Sequence, residues 1–242
     1  MSQENKIKCD RHGLRDQAFV CQHLIQGKQL GFNLNYNPEN PDELYPVAWC
    51  NDCEDKLDET DGWNKESEKF ADIKLICCEC YQNIRQANWV ESEERYHHLI
   101  SESCQYLSEK QDDFANEFKI NDYERWDWYQ ETGKLIFSHN NKPKVEANIH
   151  FSGSLSSQSK TWMWAWANTH LAELVKSGSR IVKEKGEELN LLKLRSGLWL
   201  ADEVDGWEMT AVLAKLTDAI GAYRTPSENG FTYMVITEAK FC

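Results

Sequence analysis

CDRH at residues 9–12, CQH at 21–23, CNDC at 50–53 and CCEC at 77–80 are the segments that decide how the first third of this chain folds. One or two residues between paired ligands let a short stretch of backbone aim two ligand atoms at one ion. Two such pairs complete a tetrahedral zinc site. The sequence therefore predicts eight zinc ligands, which are Cys9, His12, Cys21, His23, Cys50, Cys53, Cys77 and Cys80.

The sequence leaves open how the four pairs combine. The pairs that begin at Cys50 and Cys77 are separated by residues 54–76, which is zinc-ribbon spacing, and the first two pairs would then form a second site. A cross-brace would instead join the first pair with the third and the second with the fourth. Cys78 competes with Cys77 as a ligand, but the spacing of two residues before Cys80 favours Cys77. In either arrangement, about two zinc ions hold a small module together.

The distribution of cysteines favours metal binding over disulfide bonds. Seven of the nine cysteines lie before residue 81. The N-terminal segment is polar and has no apolar stretch of a secretory signal, and no window approaches 18 consecutive apolar residues. These features predict a cytoplasmic protein without a membrane span. In that reducing compartment, clustered cysteines bind metal more often than they pair.

The charge of the chain restricts its partners. The formal net charge is −13, and acidic residues are in excess both before and after residue 88. Such a surface repels the phosphate backbone, so the zinc motif does not predict nucleic-acid binding. An acidic surface instead suits a basic protein partner, which it attracts over a distance.

The remainder of the chain predicts a second domain of the α+β class. Apolar residues recur at helical spacing over residues 91–118 and 206–221. Between these two segments lie short runs in which apolar and polar residues alternate, and residues 231–236 form a further run. Together the runs predict an antiparallel β-meander of four to five strands flanked by helices. Residues 152–160 are rich in serine and glycine, and this composition predicts a loop. We therefore expect a zinc module at 1–90 and an α+β domain at 91–242.

One predicted strand, Thr161–Ala167, is unusually rich in tryptophan. Trp162, Trp164 and Trp166 would share one face of it. Aromatic residues on one face usually build a core, and this interpretation is favoured. The alternative is an aromatic platform at the site of a hydrolase or transferase, which requires these side chains to be accessible. The sequence contains no nucleotide-binding or nucleophile-elbow motif.

Several of these segments resemble known bacterial sequences. The segments CDRHG, FVCQHL, AWCNDC and LICCECY resemble those of a group of uncharacterised bacterial proteins, and TWMWAWAN at 161–168 resembles the signature of an uncharacterised bacterial domain family. Proteins of this kind are similar to components found near toxin–immunity systems. The resemblance implies an immunity protein that neutralises a basic toxin. Together with the charge and the closed ligand pairs, it makes a non-enzymatic, zinc-binding interaction protein our leading hypothesis.

Overall fold

A computed structural model describes residues 5–35, 37, 40, 42–89 and 93–242. The chain divides into two compact units, Met1–Glu91 and Ser92–Cys242, here called the N-terminal and C-terminal units. Both contain helices and antiparallel strands, so the predicted α+β class is confirmed.

The N-terminal unit is built from short elements. Its strands are Lys6–Cys9 (β1), Gly13–Val20 (β2), Asn33–Leu34 (β3), Ala48–Trp49 (β4) and Lys74–Cys77 (β5). Its helices are Gln22–Gln26 (α1), Asn51–Glu59 (α2), Lys65–Ala71 (α3) and Cys78–Asn88 (α4). A capping box, in which the Asn64 side chain accepts from two backbone N–H groups, starts α3.

Strand β2 organises this unit. Its first half pairs antiparallel with β1, and its second half, Gln17–Val20, pairs antiparallel with β5. Gly13 closes the β1–β2 hairpin at a φ of 72°, a left-handed conformation that glycine adopts without steric cost. Val20 also pairs with Ala48 of β4. Among the described residues of this unit, few apolar side chains other than cysteine are buried, and they are Ala18, Val20, Leu24, Phe32, Ala48, Trp49, Ala71 and Tyr81.

The C-terminal unit begins with a long helix, Glu93–Phe118 (α5), which confirms the helical periodicity read from the sequence. The predicted start at residue 91 lies outside the described residues. Shorter helices follow at Glu173–Lys176 (α6), Arg180–Glu188 (α7), Leu192–Arg195 (α8) and Gly206–Leu216 (α9). Across the described ranges, no helix combines the length and the apolar character needed to span a membrane.

The sheet of the C-terminal unit has seven strands, more than the four or five expected. They are Arg125–Tyr129 (β6), Lys134–His139 (β7), Lys142–Ser156 (β8), Thr161–Trp164 (β9), Leu198–Leu200 (β10), Gly221–Ser227 (β11) and Gly230–Phe241 (β12). All pairings are antiparallel. The predicted loop at 152–160 is wrong in its first half, because β8 continues to Ser156.

The long strand β8 explains where the tryptophan strand ends. Strand β12 covers one edge of β8 from Val145 to Ser156. The other edge is shared, because β7 pairs with its first half and β9 pairs only from Gly153 onward. Strand β9 therefore leaves the sheet after Trp164, and Ala165–Ala167 form a 3₁₀ turn instead of the predicted strand. Only Trp162 and Trp164 share a strand face.

One face of β8 builds a large apolar core. Along β8, the residues Val145, Ala147, Ile149 and Phe151 are buried, as the alternation of the sequence predicted. They pack in one cluster with Phe114 and Phe118 of α5, Phe137 of β7, and Met234 and Ile236 of β12. Helix α9 packs against β8 and β12. The C-terminal unit therefore has a large apolar core of its own.

Candidate metal centres

The structure gathers the eight predicted ligands into two groups. The first cluster consists of Cys9, His12, Cys77 and Cys80, and the second cluster consists of Cys21, His23, Cys50 and Cys53. Within each cluster the four ligand atoms lie within 4.8 Å of one another. The first pair thus joins the fourth and the second joins the third. This nested arrangement differs from both the ribbon and the cross-brace pairing that the sequence left open.

Strand β2 is the reason for the nested pairing in the first cluster. Cys9 ends β1 and His12 lies in the hairpin turn that leads into β2. Cys77 ends β5, the other partner of β2, and Cys80 lies in the first turn of α4. The first and fourth pairs therefore meet because both adjoining strands hydrogen-bond to the same strand.

The distances in the first cluster fit a tetrahedral ion. His12 Nδ1 lies 3.3 Å from Cys77 Sγ, 3.5 Å from Cys80 Sγ and 3.7 Å from Cys9 Sγ. The sulfurs of Cys9 and Cys80 are 3.9 Å apart. With Zn–S bonds of about 2.3 Å and Zn–N bonds of about 2.1 Å, a regular tetrahedron separates sulfur from nitrogen by about 3.6 Å and two sulfurs by about 3.8 Å.

The second cluster is formed at the starts of two helices. Cys21 is the residue before α1 and His23 lies in its first turn. Cys50 is the residue before α2 and Cys53 lies in its first turn. His23 Nδ1 lies 3.3 Å from Cys53 Sγ and 3.6 Å from Cys50 Sγ, again close to tetrahedral spacing.

Backbone N–H groups are directed at cysteine sulfurs in both clusters. The N–H of Cys80 donates to Cys77 Sγ over 3.4 Å, and that of Cys50 donates to Cys21 Sγ over 3.4 Å. Such bonds, made here where helices begin, favour the thiolate form that a metal requires. In the first cluster, the backbone N–H groups of Arg11 and His12 lower the pKa of Cys9 to about 6.

Other thiols of the clusters resist ionisation when no cation is near. Burial raises the pKa of Cys53 to about 12 and that of Cys80 to about 12. A hydrogen bond with Cys21 raises the pKa of Cys50, and the same contact lowers the pKa of Cys21. Several thiols crowded together cannot all carry charge unless a cation compensates it. A divalent metal ion at the centre would supply that compensation and displace the protons.

A carboxylate supports the histidine of the first cluster. Glu79 lies between two of the ligands in sequence, and its Oε2 is 3.8 Å from His12 Nε2. Arg15 of β2 forms an ion pair with the same carboxylate. Because this separation is too long for a hydrogen bond, the carboxylate acts on the ring through its negative charge. The sequence does not indicate Glu79 or Arg15, because their contact depends on the pairing of β2 with β5.

Cys78 lies outside both clusters. Its side chain is buried and hydrogen-bonded to Tyr45, and burial raises the pKa of its thiol. Cys77, the residue that the spacing favoured, contributes the sulfur that lies beside His12.

The three tryptophans of residues 162–166 do not form an accessible platform. Trp162 and Trp164 have no exposed surface, and Trp166 is 1% exposed. Trp162 packs edge-to-face against Trp164 and Tyr233, with ring centroids 5.7 Å and 5.3 Å apart. These side chains build the core, and the enzyme alternative therefore loses the accessible aromatic surface on which it depended.

Comparisons with known proteins locate a family in the C-terminal part of the chain. No curated protein and no solved structure matches the chain. One family model, described as a family of unknown function (DUF6882), matches residues 97–239. That span contains the tryptophan strand and all but the last two residues of the seven-stranded sheet, and it contains none of the eight candidate metal ligands. Because the match covers more than half of the sequence, the chain belongs to the DUF6882 family.

Proposed function

We propose that this chain is a non-enzymatic protein-interaction protein, that two zinc ions hold its N-terminal unit together, and that it binds a basic protein. The observation that carries the proposal is the completeness of the two clusters, each of which offers four protein ligands to one ion. A metal with four protein ligands has no position left for substrate or activated water. Such a site stabilises a fold and does not catalyse.

The donor set favours zinc over other ions. Each cluster offers three sulfurs and one imidazole nitrogen at tetrahedral spacing, which is a common structural zinc set. Calcium and magnesium prefer oxygen ligands, and the common iron–sulfur clusters are held by four cysteines. A cytoplasmic location belongs to the same proposal, because a reducing compartment keeps the thiols available for metal.

Charge supports the choice of partner. The chain carries a net charge of −13. Residues 51–72, which include α2 and α3, contain nine acidic residues against three lysines, a net charge of −6 on a small part of the chain. A basic protein would be steered toward such a surface. The resemblance to components near toxin–immunity systems suggests that this partner is a toxin and that binding neutralises it.

Metal analysis tests the zinc part of the proposal. The purified full-length chain should hold about two zinc ions by the four-ligand rule. Replacement of one ligand in the second cluster, Cys53→Ser, should reduce the content to about one ion, because three ligands remain there. A content of about one ion in the unaltered chain would contradict the two-site proposal.

The interaction itself is tested with an isolated partner. The tagged full-length chain is used to capture proteins at low salt, and the captured protein is then purified separately and recombined with the chain. We expect a defined complex with a basic protein, an affinity that falls as salt rises, and loss of the partner's toxicity on co-expression. A purified chain that turns over a substrate and forms no complex would overturn the proposal.

A further inference from the structure

The N-terminal unit carries an open groove with an apolar floor. Its volume is about 580 Å³, and its apolar lining consists of Phe19, Val47, Trp49, Trp63 and Ile73. Two of these aromatic side chains are well exposed, Phe19 at 38% and Trp63 at 40%. Most large apolar side chains of a small domain are needed in its core, so exposed aromatic rings that share one concave surface indicate a binding site.

The groove is held in place by the second cluster and its surroundings. Trp49 directly precedes the ligand Cys50, and its indole N–H donates to the carboxylate of Glu54 on α2. Trp49 and Trp63 meet edge-to-face with ring centroids 5.2 Å apart. Aromatic side chains fixed in this way lose little conformational freedom when they bind, and they commonly dominate the energy of an interface.

The apolar surface extends beyond the groove along the sheet. Phe19 of β2 lies directly opposite Leu75 of β5, so both side chains are on the same face. Leu75 is 45% exposed. A ligand bound in the groove would therefore contact a row of apolar side chains and not a single pocket.

The rim of the groove is acidic. Glu68 of α3 and Asp72 line it, Asp72 in an ion pair with Lys74, and the segment 51–72 that supplies them has a net charge of −6. Among the three lysines of that segment, Lys56 is already paired with Glu59 and Glu66. A ligand with positive charge on either side of an apolar anchor would match both the floor and the rim.

We propose that this groove binds a peptide segment of a protein partner in which a bulky apolar side chain is flanked by lysine or arginine. The apolar side chain packs against Phe19, Trp49 and Trp63, and the flanking cations face the acidic rim at Glu68. The inference rests on the proposed function, because it assigns the basic partner's contact to one surface of the N-terminal unit.

The probe is a random peptide library displayed against the zinc-loaded full-length chain. Enriched peptides should combine net positive charge with an aromatic or large aliphatic residue. Trp63→Ala should weaken their binding by about tenfold or more, which is the effect of losing a central aromatic contact. The charge reversal Glu68→Lys should weaken it by several-fold and reduce its salt dependence.

Two control variants separate this groove from general surface effects. Trp207, at 41% exposure, matches Trp63 but lies in the C-terminal unit, so Trp207→Ala should leave peptide binding within about twofold. Glu117→Lys on α5 is the corresponding control for charge. Each variant must retain the zinc content of the parent chain, which shows that the N-terminal unit is folded.

The outcomes distinguish the groove from the broader function. Failure to enrich basic–apolar peptides, or equal binding by Trp63→Ala and the parent chain, would overturn the groove assignment. If the separately purified basic partner bound Trp63→Ala as well as it binds the parent, the assignment would fail while the proposed function stood. If no basic partner bound the parent chain, the proposed function itself would fail.

Discussion

The two units achieve stability by different means. The C-terminal unit buries four tryptophans almost completely, Trp162, Trp164, Trp166 and Trp199. The N-terminal unit buries few large apolar side chains and brings two Cys/His clusters together instead. It also leaves several large apolar side chains exposed, among them Phe19, Trp63 and Leu75. Metal crosslinks can replace part of a core, and side chains that the core does not need become available for binding.

Removal of the metal is expected to have the largest effect. A chelator should unfold the N-terminal unit, because apparent zinc-binding energies of about 10–16 kcal/mol exceed what a small core supplies. The C-terminal unit should keep its fold, since its core contains no metal ligand. Hydrogen exchange followed by mass spectrometry measures the protection of both units in one experiment. Loss of protection in peptides from residues 97–239, or its retention throughout residues 5–35, would contradict this contrast.

Replacement of a single ligand should produce the next largest effect. Cys77→Ser leaves the first cluster with three ligands, so zinc content should fall from about two ions to about one. The N-terminal unit should also lose several kcal/mol of stability. The neighbouring variant Cys78→Ser is the matched control, because this thiol is buried but lies outside the clusters. It should retain both ions. Equal zinc loss in the two variants would mean that the fourth pair has been assigned incorrectly.

The corresponding test of the C-terminal unit removes a core side chain. Trp162→Ala should lower the free energy of unfolding of that unit by about 3–5 kcal/mol, the usual cost of a large cavity. Zinc content should not change. Trp207→Ala removes an indole that is 41% exposed, so its cost should be clearly smaller than that of Trp162→Ala. Chemical denaturation followed by tryptophan fluorescence gives both values. Similar losses in the two variants would show that Trp162 is not a core residue.

The sequence could predict which residues are candidate ligands but not how they combine. Ligand identity is a local property, because the spacing of Cys9 and His12 or of Cys50 and Cys53 is set within one turn. The grouping of the ligands into clusters depends on which strands pair with β2. These contacts join segments that are distant in the sequence, so the local spacing of the ligands does not indicate them. For the same reason Glu79 and Arg15 were not recognised.

The sheet of the C-terminal unit illustrates the same limit. The alternation Val145, Ala147, Ile149, Phe151 predicted part of β8 correctly because its period follows directly from one buried face. The continuation of β8 through Gly153 does not follow from the sequence, because serine and glycine usually indicate a loop. A Cβ atom at Gly153 would lie only 2.5 Å from the Trp162 ring, so glycine is required here by close packing. That requirement comes from the neighbouring strand.

The smallest expected effect concerns the support of the first cluster. Glu79→Gln removes the charge behind His12 and the ion pair with Arg15, so zinc affinity of the first cluster should fall by about tenfold, the lower end of such effects. The lower end is expected because the Glu79 side chain is 41% exposed and solvent weakens its influence. Competition with a chromophoric chelator measures the release of each ion. The second cluster serves as an internal control, because within the described residues no carboxylate forms an ion pair with His23. Parallel weakening of both ions, or of neither, would contradict a role for the Glu79 charge at the first cluster. Weakening of one ion alone would show that the two clusters are independent supports of the same small unit.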